Sequence, residues 1–396
     1  MKKRQKPNKR RVVASILSLL MVMQQSATYQ VLATDITGVT GTPEGSYNVY
    51  NIRPSVVNET KGVGFRNFEN FNLSKGDIAN FLMKAINGTQ WTDSDGVVHQ
   101  YSTADIATFV AAVKNQVNIN GVVNTVKDGS VGGNLVFVSP NGVVVGASGV
   151  LNVGSLSVIT PTDSAFNNLY DKVKGYQDKV PTGDATHPYY YGNVLSGNPV
   201  ADFVDISDAT FTMDQIDSSK SVQVFGRIAS RGDINVQTGS FNVNQNDTNP
   251  PIIIAGVAAT DENGNDYYAA YDGEGNFDSE FLFNSLVNTG KTSNINVQTN
   301  KGVNITNNAG VYNIGNGNTQ FTNTGADGIN IDGTVRNANG LLELINSGQS
   351  GINIRSNGVV ENTGITNITN NAGGTDGILL AAGGQIKQHG SSLTIT

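Results

Sequence analysis

Apolar residues between positions 134 and 160 come in short runs, each cut by Gly, Asn, Ser or Pro: Leu135–Val138, Val143–Val145, Val150–Val153 and Leu156–Ile159. The runs are too short for helices, and the gaps leave no room for helical crossovers between parallel strands. No charged residue lies between Asp128 and Asp163. Such a chain buries its apolar positions by winding on itself and stacking turn on turn, which predicts a β-solenoid. Further along, Gly-led tetrads starting at Gly302, Gly328, Gly351 and Gly377 recur at intervals of 26, 23 and 26 residues. In each, the first and third residues after the Gly are apolar and share one face of a strand. A second apolar position follows at Val311, Val335, Val359 and Ile386. That period fits one coil of a parallel β-helix. The predicted fold class is therefore all-β, a right-handed parallel β-helix.

Residues 294–371 contain 20 Asn and only seven charged residues. Without the periodicity this composition would suggest a low-complexity tract. With it, Asn gains two structural roles: it tolerates the left-handed backbone of tight corners, and stacked copies can hydrogen-bond from coil to coil. Stacking then builds a continuous core that no coil could bury alone.

Three segments depart from the strand pattern and predict short helices. Gly76–Gly88 begins with a capping-box-like Ser74 and Asp77 and places Ile78, Phe81, Leu82, Ala85 and Ile86 on one face. Asp105–Val117 offers Ile106, Phe109, Val110 and Val113, and Thr162–Val173 offers Phe166, Leu169, Tyr170 and Val173. Residues 161–220 are richer in Pro, Tyr and Asp than their surroundings and are expected to form an insertion outside the solenoid. Two Asp/Gly/Asn-rich turns around Asp266–Tyr271 predict a hairpin excursion near 258–283. The expected organisation is a leader over 1–33, an N-terminal cap and first coils over 34–160, the insertion over 161–220, and further coils over 221–396. Thr396 falls inside what would be another coil, so the chain is expected to be the N-terminal part of a longer protein.

The leader reading rests on a basic start (Lys2, Lys3, Arg4, Lys6, Lys9, Arg10, Arg11), an apolar Val12–Met23 and a small-residue cleavage site at Val31-Leu32-Ala33. Cleavage between Ala33 and Thr34 is expected. The apolar stretch is short for a membrane span. Losing the leader leaves 18 Lys+Arg against 32 Asp+Glu, a net charge of −14. No basic patch remains for nucleic acid or anionic lipid. The chain has no cysteine, which suits a protein that must pass a narrow pore unfolded.

Six blocks then carry a resemblance. They are Tyr47-Asn-Val-Tyr-Asn-Ile52, Gly64-Phe-Arg-Asn-Phe-Glu-Asn-Phe-Asn72, Ile119-Asn-Gly-Val-Val-Asn-Thr125, Gly133-Asn134-Leu135, Ser139-Pro140-Asn141-Gly142 and Gly149-Val-Leu-Asn-Val-Gly-Ser-Leu156. Together the chain resembles the N-terminal secretion domain of two-partner-secretion adhesins of the filamentous haemagglutinin type, and within that group the leukotoxin-like filamentous adhesins. The blocks cover roughly 45–160. Where the family carries Asn-Pro-Asn-Gly, this chain has Ser139 first. The resemblance implies an exported surface or secreted protein of a diderm bacterium. The Sec machinery would carry it to the periplasm. A two-partner outer-membrane β-barrel transporter would then recognise the unfolded domain, with Asn134, Leu135, Ser139, Pro140, Asn141 and Gly142 as secretion-motif candidates. A host-cell receptor is a further expected partner.

The remaining chemistry is sparse. Arg231-Gly232-Asp233 is an integrin-type tripeptide, but reads as a corner entering the strand at Ile234. Asp261-x-Asn263-x-Asn265 lacks the Gly and the bidentate Glu of a calcium loop, and Asp93-Ser-Asp-Gly96 is no better. His99, His187 and His389 show no metal-ligand spacing. Asp128–Gly133 is Gly-rich but lacks the Lys-Ser/Thr of a phosphate loop. No cofactor, metal or catalysis is expected. The alternatives are a polysaccharide-acting β-helix enzyme, for which Arg227, Arg231 and Asp233 are the compact candidates, and an autotransporter passenger, whose C-terminal barrel strands are not visible.

Overall fold

The structure is a computed structural model and describes residues 33–58, 60–84, 90–92, 98–100, 105–177, 206, 208–246, 250–257, 289–371 and 377–396. The expected leader up to residue 32, the hairpin near 258–283, both calcium-like loops and His187 lie outside the described residues. The chain winds as a parallel β-helix with three strand-bearing faces. On the first coil these are Val63–Phe68, Phe71–Leu73 and Ile78–Leu82, followed on the next by Thr108–Val113, Val117–Ile119 and Val122–Lys127. Each pairs in parallel with its counterpart one coil on, as Phe109 does with both Gly64 and Leu135. Asn134–Val138, Val143–Val145 and Val150–Val153 form the next coil. The predicted run at Leu156–Ile159 is the strand Ser155–Ile159 of the coil after that. Ile234–Val243 and Ile295–Ile305 each run through two faces, with a register shift between Thr238 and Ser240 marking the corner.

Stacking of like residues explains why the coils hold register. Phe137, Val158, Val236, Val297, Phe321, Leu344 and Ile368 pair successively and are all buried. The Gly-led tetrads align as read: Val303 pairs with Ile329, Ile329 with Ile352 and Ile352 with Ile378. The second apolar position needs one correction. Val335 pairs with Val360, not Val359; Val360 is buried in the core while Val359 is half-buried beside Thr334.

Two predicted helices are strands. Ile78–Leu82 pairs in parallel with Tyr47–Ile52 and Val122–Lys127, with Ala79 and Phe81 turned into the core. Thr108–Val113 is apolar on both faces: Phe109, Ala111 and Val113 fill the interior, while Val110 and Ala112 join a second cluster outside. A strand buried on both sides loses its alternation, and its apolar positions then satisfy a helical template as well. The third prediction holds. A helix, Asp163–Gln177, lays Phe166, Leu169 and Val173 over Phe65, Val110, Val136 and Val138 on the outside of the first face. It belongs to the excursion between Ser155–Ile159 and Ser221–Val224, whose two ends meet in the bridge between Pro161 and Ile216.

The N-terminal end is closed by antiparallel pairing. Asp35–Ile36 covers Phe71–Leu73, Val56–Asn58 covers Val63–Phe68, and Thr42–Glu44 covers Tyr47–Ile52. Arg66 ties these pieces together, donating to the Arg53 carbonyl at 3.1 Å and the Gly38 carbonyl at 2.7 Å with its guanidinium 5.5 Å from the Phe68 ring centroid. Burial lowers this guanidinium to about 10, so it stays charged at neutral pH. At the other end, Leu379, Leu380, Leu393 and Ile395 are exposed.

Candidate functional site

The secretion-motif candidates lie at the two ends of the strand Asn134–Val138, Asn134 and Leu135 at its start and Ser139–Gly142 in the corner that follows it. Leu135 is buried in the core, stacked between Phe109 and Leu156. Asn134 donates its backbone N–H to the Ala107 carbonyl at 2.8 Å. The strand ends in a turn over Ser139–Gly142, whose closing bond runs from the Gly142 N–H to the Ser139 carbonyl at 3.4 Å. Pro140 at the second position supplies the φ such a turn needs. Gly142 has a φ of +90°, and a Cβ there would meet the Ser221 carbonyl at 2.7 Å.

The Ser139 side chain holds this turn. Its hydroxyl accepts the Asn141 N–H at 3.2 Å and donates to the Asn115 carbonyl of the preceding coil at 2.9 Å. An Asn side chain caps its own turn by the same bond from the residue two positions on. Ser139 therefore caps the corner that Pro140 and Gly142 shape. Asn141 joins three coils: its amide donates to the Lys114 carbonyl at 2.9 Å and its oxygen accepts from Lys220 Nζ at 3.2 Å. In the folded chain Leu135, Ser139, Pro140 and Gly142 are buried and Asn141 is exposed.

The structure separates the other predicted sites. Arg231 donates to the Val131 carbonyl, and Asp233 accepts from the Asn294 backbone at 2.7 Å and its side chain at 3.0 Å. The tripeptide is thus a structural corner. Asp233→Ala is expected to cost about 1–3 kcal/mol in urea unfolding, and a soluble Arg-Gly-Asp peptide is expected to leave cell binding unchanged in a competition assay. Arg227 is buried in register with Val150 and Ile252, so Arg227, Arg231 and Asp233 do not make a groove. Asp128 and Gly129, both at positive φ, form the turn of the hairpin that joins Val122–Lys127 to Ser130–Val131. Among the described residues no cluster of metal-ligating side chains occurs, and no helix is long and apolar enough to cross a membrane.

Sequence reading missed one charged column. On the outside of the third face Tyr312 pairs in register with Arg336, Arg336 with Glu361 and Glu361 with Lys387. Glu361 Oε1 lies 3.2 Å from His389 Nε2 and 4.0 Å from Arg336 Nε. Burial, the largest cause, pushes the Tyr312 phenol above its ordinary value. The signal was the coil period: these residues lie one coil apart in sequence.

No protein-family model matches the chain, and no curated protein matches it. Among solved structures, the crystal structure of a filamentous hemagglutinin secretion domain aligns over 92% of this chain and 99% of its own, at 13% sequence identity and a TM-score of 0.34. The β-helix stands on the strand register described above, not on this likeness.

Proposed function

We propose that this chain is the export-directing N-terminal domain of a two-partner-secreted bacterial surface protein or adhesin, recognised by an outer-membrane β-barrel transporter while unfolded. The observation that carries the reading is where the six resembling blocks fall. They lie in the N-terminal cap and the first coils, and the secretion-motif block is largely buried once the chain folds. A transporter that reads Leu135 or Pro140 has to do so before the coil closes. Folding then buries the signal and adds parallel pairing coil by coil, which opposes return through a pore.

The test expresses residues 1–396 in bacteria with and without a two-partner-type barrel from the same source. Secretion into the medium only in the presence of the barrel is the expected result; periplasmic retention in both strains would sink the reading. Asn141→Ala is expected to lower export about tenfold, equivalent to about 1.4 kcal/mol of recognition, while folded stability changes by about 1 kcal/mol. Export yield and urea unfolding of the same variant separate the two effects.

The reading assigns no catalysis. A polysaccharide-acting alternative would use the Tyr312–Arg336–Glu361 column, because that is where an acid, a base and a guanidinium meet. Glycoside hydrolysis ordinarily needs two carboxylates across the scissile bond, and this column holds Glu361 alone, since Glu343 belongs to the first face and pairs with Gln320 at 2.6 Å. Glu361→Gln is expected to leave any depolymerising activity towards acidic and neutral polysaccharides at the background of a reducing-sugar assay, equal to that of the unaltered chain.

A further inference from the structure

The N-terminal cap closes around one carboxylate. Asp77, 9% exposed, sits at the corner before Ile78–Leu82. Its Oδ1 accepts the Asn48 backbone N–H at 2.8 Å and the Asn48 side-chain amide at 3.3 Å. Its Oδ2 accepts the Thr34 hydroxyl at 2.5 Å, and that hydroxyl accepts the Ser74 N–H at 2.8 Å. The Tyr50 phenol also meets Thr34 and is raised above its ordinary value, first by burial and then by the Asp77 charge. Among the described residues no Lys, Arg or His side chain pairs with Asp77. Neutral donors alone serve this carboxylate, so a cation brought beside it would add a charge-assisted bond.

Thr34 is also the residue that the leader reading places first in the mature chain. Hydrolysis of the Ala33–Thr34 peptide bond consumes one water. The hydroxyl goes to the Ala33 carbonyl, the proton to the Thr34 nitrogen, and the new amine binds a further proton to become an ammonium at neutral pH. The nitrogen and Oγ1 of one Thr are about 3–4 Å apart in any rotamer. With Oγ1 at 2.5 Å from Asp77, the new cation arises within about 6 Å of the carboxylate, the range in which opposite charges stabilise each other.

We propose that Asp77 is the docking site for the α-ammonium group created at Thr34, so that processing tightens a cap whose neutral bonds already form in the uncleaved chain. Thr34, Asp77, Ser74 and Asn48 then form one charge-assisted knot that joins the first residue to the first coil. Processing and cap stability become coupled: a chain that keeps its leader presents a neutral peptide nitrogen where the processed chain presents a cation, and Asp77 keeps only its neutral donors. The inference rests on the expected cleavage site and is independent of the transporter.

The experiment compares hydrogen exchange in the mature chain beginning at Thr34 with the same chain α-N-acetylated and α-N-methylated. Amides of Thr37, Asn48 and Ser74, which hold the cap, are the reporters. Acetylation, which removes the charge, is expected to speed their exchange about tenfold, while methylation, which keeps it, leaves them within about twofold. In Asp77→Asn the difference between free and acetylated chains is expected to vanish. Equal exchange in all three mature forms, or an acetylation effect that persists in Asp77→Asn, would overturn the proposal, as would a mass spectrum of the exported protein showing a first residue other than Thr34. If Asp77→Asn fails to fold, the acetyl–methyl comparison decides alone. Normal export accompanied by equal exchange removes this inference and leaves the secretion reading standing; protected amides with failed export do the reverse.

Discussion

Phe81→Ala is expected to lower the stability of the N-terminal coils by about 3–5 kcal/mol, and Leu82→Ala by about 1 kcal/mol. Phe81 is fully buried at the centre of an aromatic group, with ring centroids 5.7 Å from Phe71, 5.0 Å from Phe109 and 5.7 Å from Phe137. Those rings come from three successive coils, so truncation opens a cavity that no one strand can close by shifting. The contacts to Phe109 and Phe137 are edge-on, the arrangement that adds favourable quadrupole interaction to burial. Leu82 is the neighbouring residue, yet it points out of the strand and is half-buried. The contrast between adjacent residues tests the strand directly, because the helix predicted for this segment would have placed both on its apolar face. Urea unfolding followed by far-ultraviolet circular dichroism measures it through the midpoint, provided the m value is unchanged. Similar losses for the two variants would contradict the strand register.

That segment also shows what the sequence could and could not reveal. Runs isolated by turn residues, such as Val143–Val145, and tetrads repeated at the coil period, such as Gly328–Ile331, were legible because nothing else fits their length and spacing. Ile78–Leu82 and Thr108–Val113 were not. In Thr108–Val113 extra apolar residues serve a second contact, since the helix Asp163–Gln177 covers Val110 and Ala112 from outside; in Ile78–Leu82 the half-buried Ile78 and Leu82 complete a helix-like spacing beside the core residues Ala79 and Phe81. Local periodicity cannot register a partner that arrives some fifty residues later in the chain. The same reason hid Asp77: its neighbours in sequence suggested a capping role, while its actual partners, Thr34 and Asn48, lie 43 and 29 residues away. Of the candidate site, the turn chemistry of Ser139–Gly142 was readable from residue types alone. Its ties to Asn115, Lys114 and Lys220 required knowing which coils lie above and below.

Asn346→Ala is the second change with a large expected effect, about 3 kcal/mol, because it strands several buried polar groups at once. Asn346 is fully buried at the end of a first-face strand. Its oxygen accepts from the Asn323 side chain at 2.8 Å and from the Gly348 N–H at 3.4 Å. Its amide donates to Asn370 at 2.8 Å and to the Ser350 carbonyl. Every hydrogen-bonding position of the side chain is used, two along the solenoid and two within its own corner. The ladder continues upward to Thr299, which donates to Asn323 at 2.9 Å, so the polar column runs through the interior beside the apolar core. A parallel column on the third face includes Asn337 and Asn362, joined at 3.2 Å. Alanine at 346 removes all four bonds and leaves the Gly348 N–H and the Ser350 carbonyl without a replacement inside a corner too tight for water; a Cβ on Gly348 would already strike the Gly325 carbonyl. Asn346→Asp tests the same column differently. It retains the acceptor, loses the donor and buries a charge facing Asn370, so its penalty is expected to exceed that of alanine at pH 7 and to shrink as the pH falls and the carboxyl regains a proton. Urea unfolding of both variants at pH 7 and pH 4 measures the sign. An aspartate variant as stable as the parent at neutral pH would mean that the column carries water, and that the Asn repeats serve the corners alone.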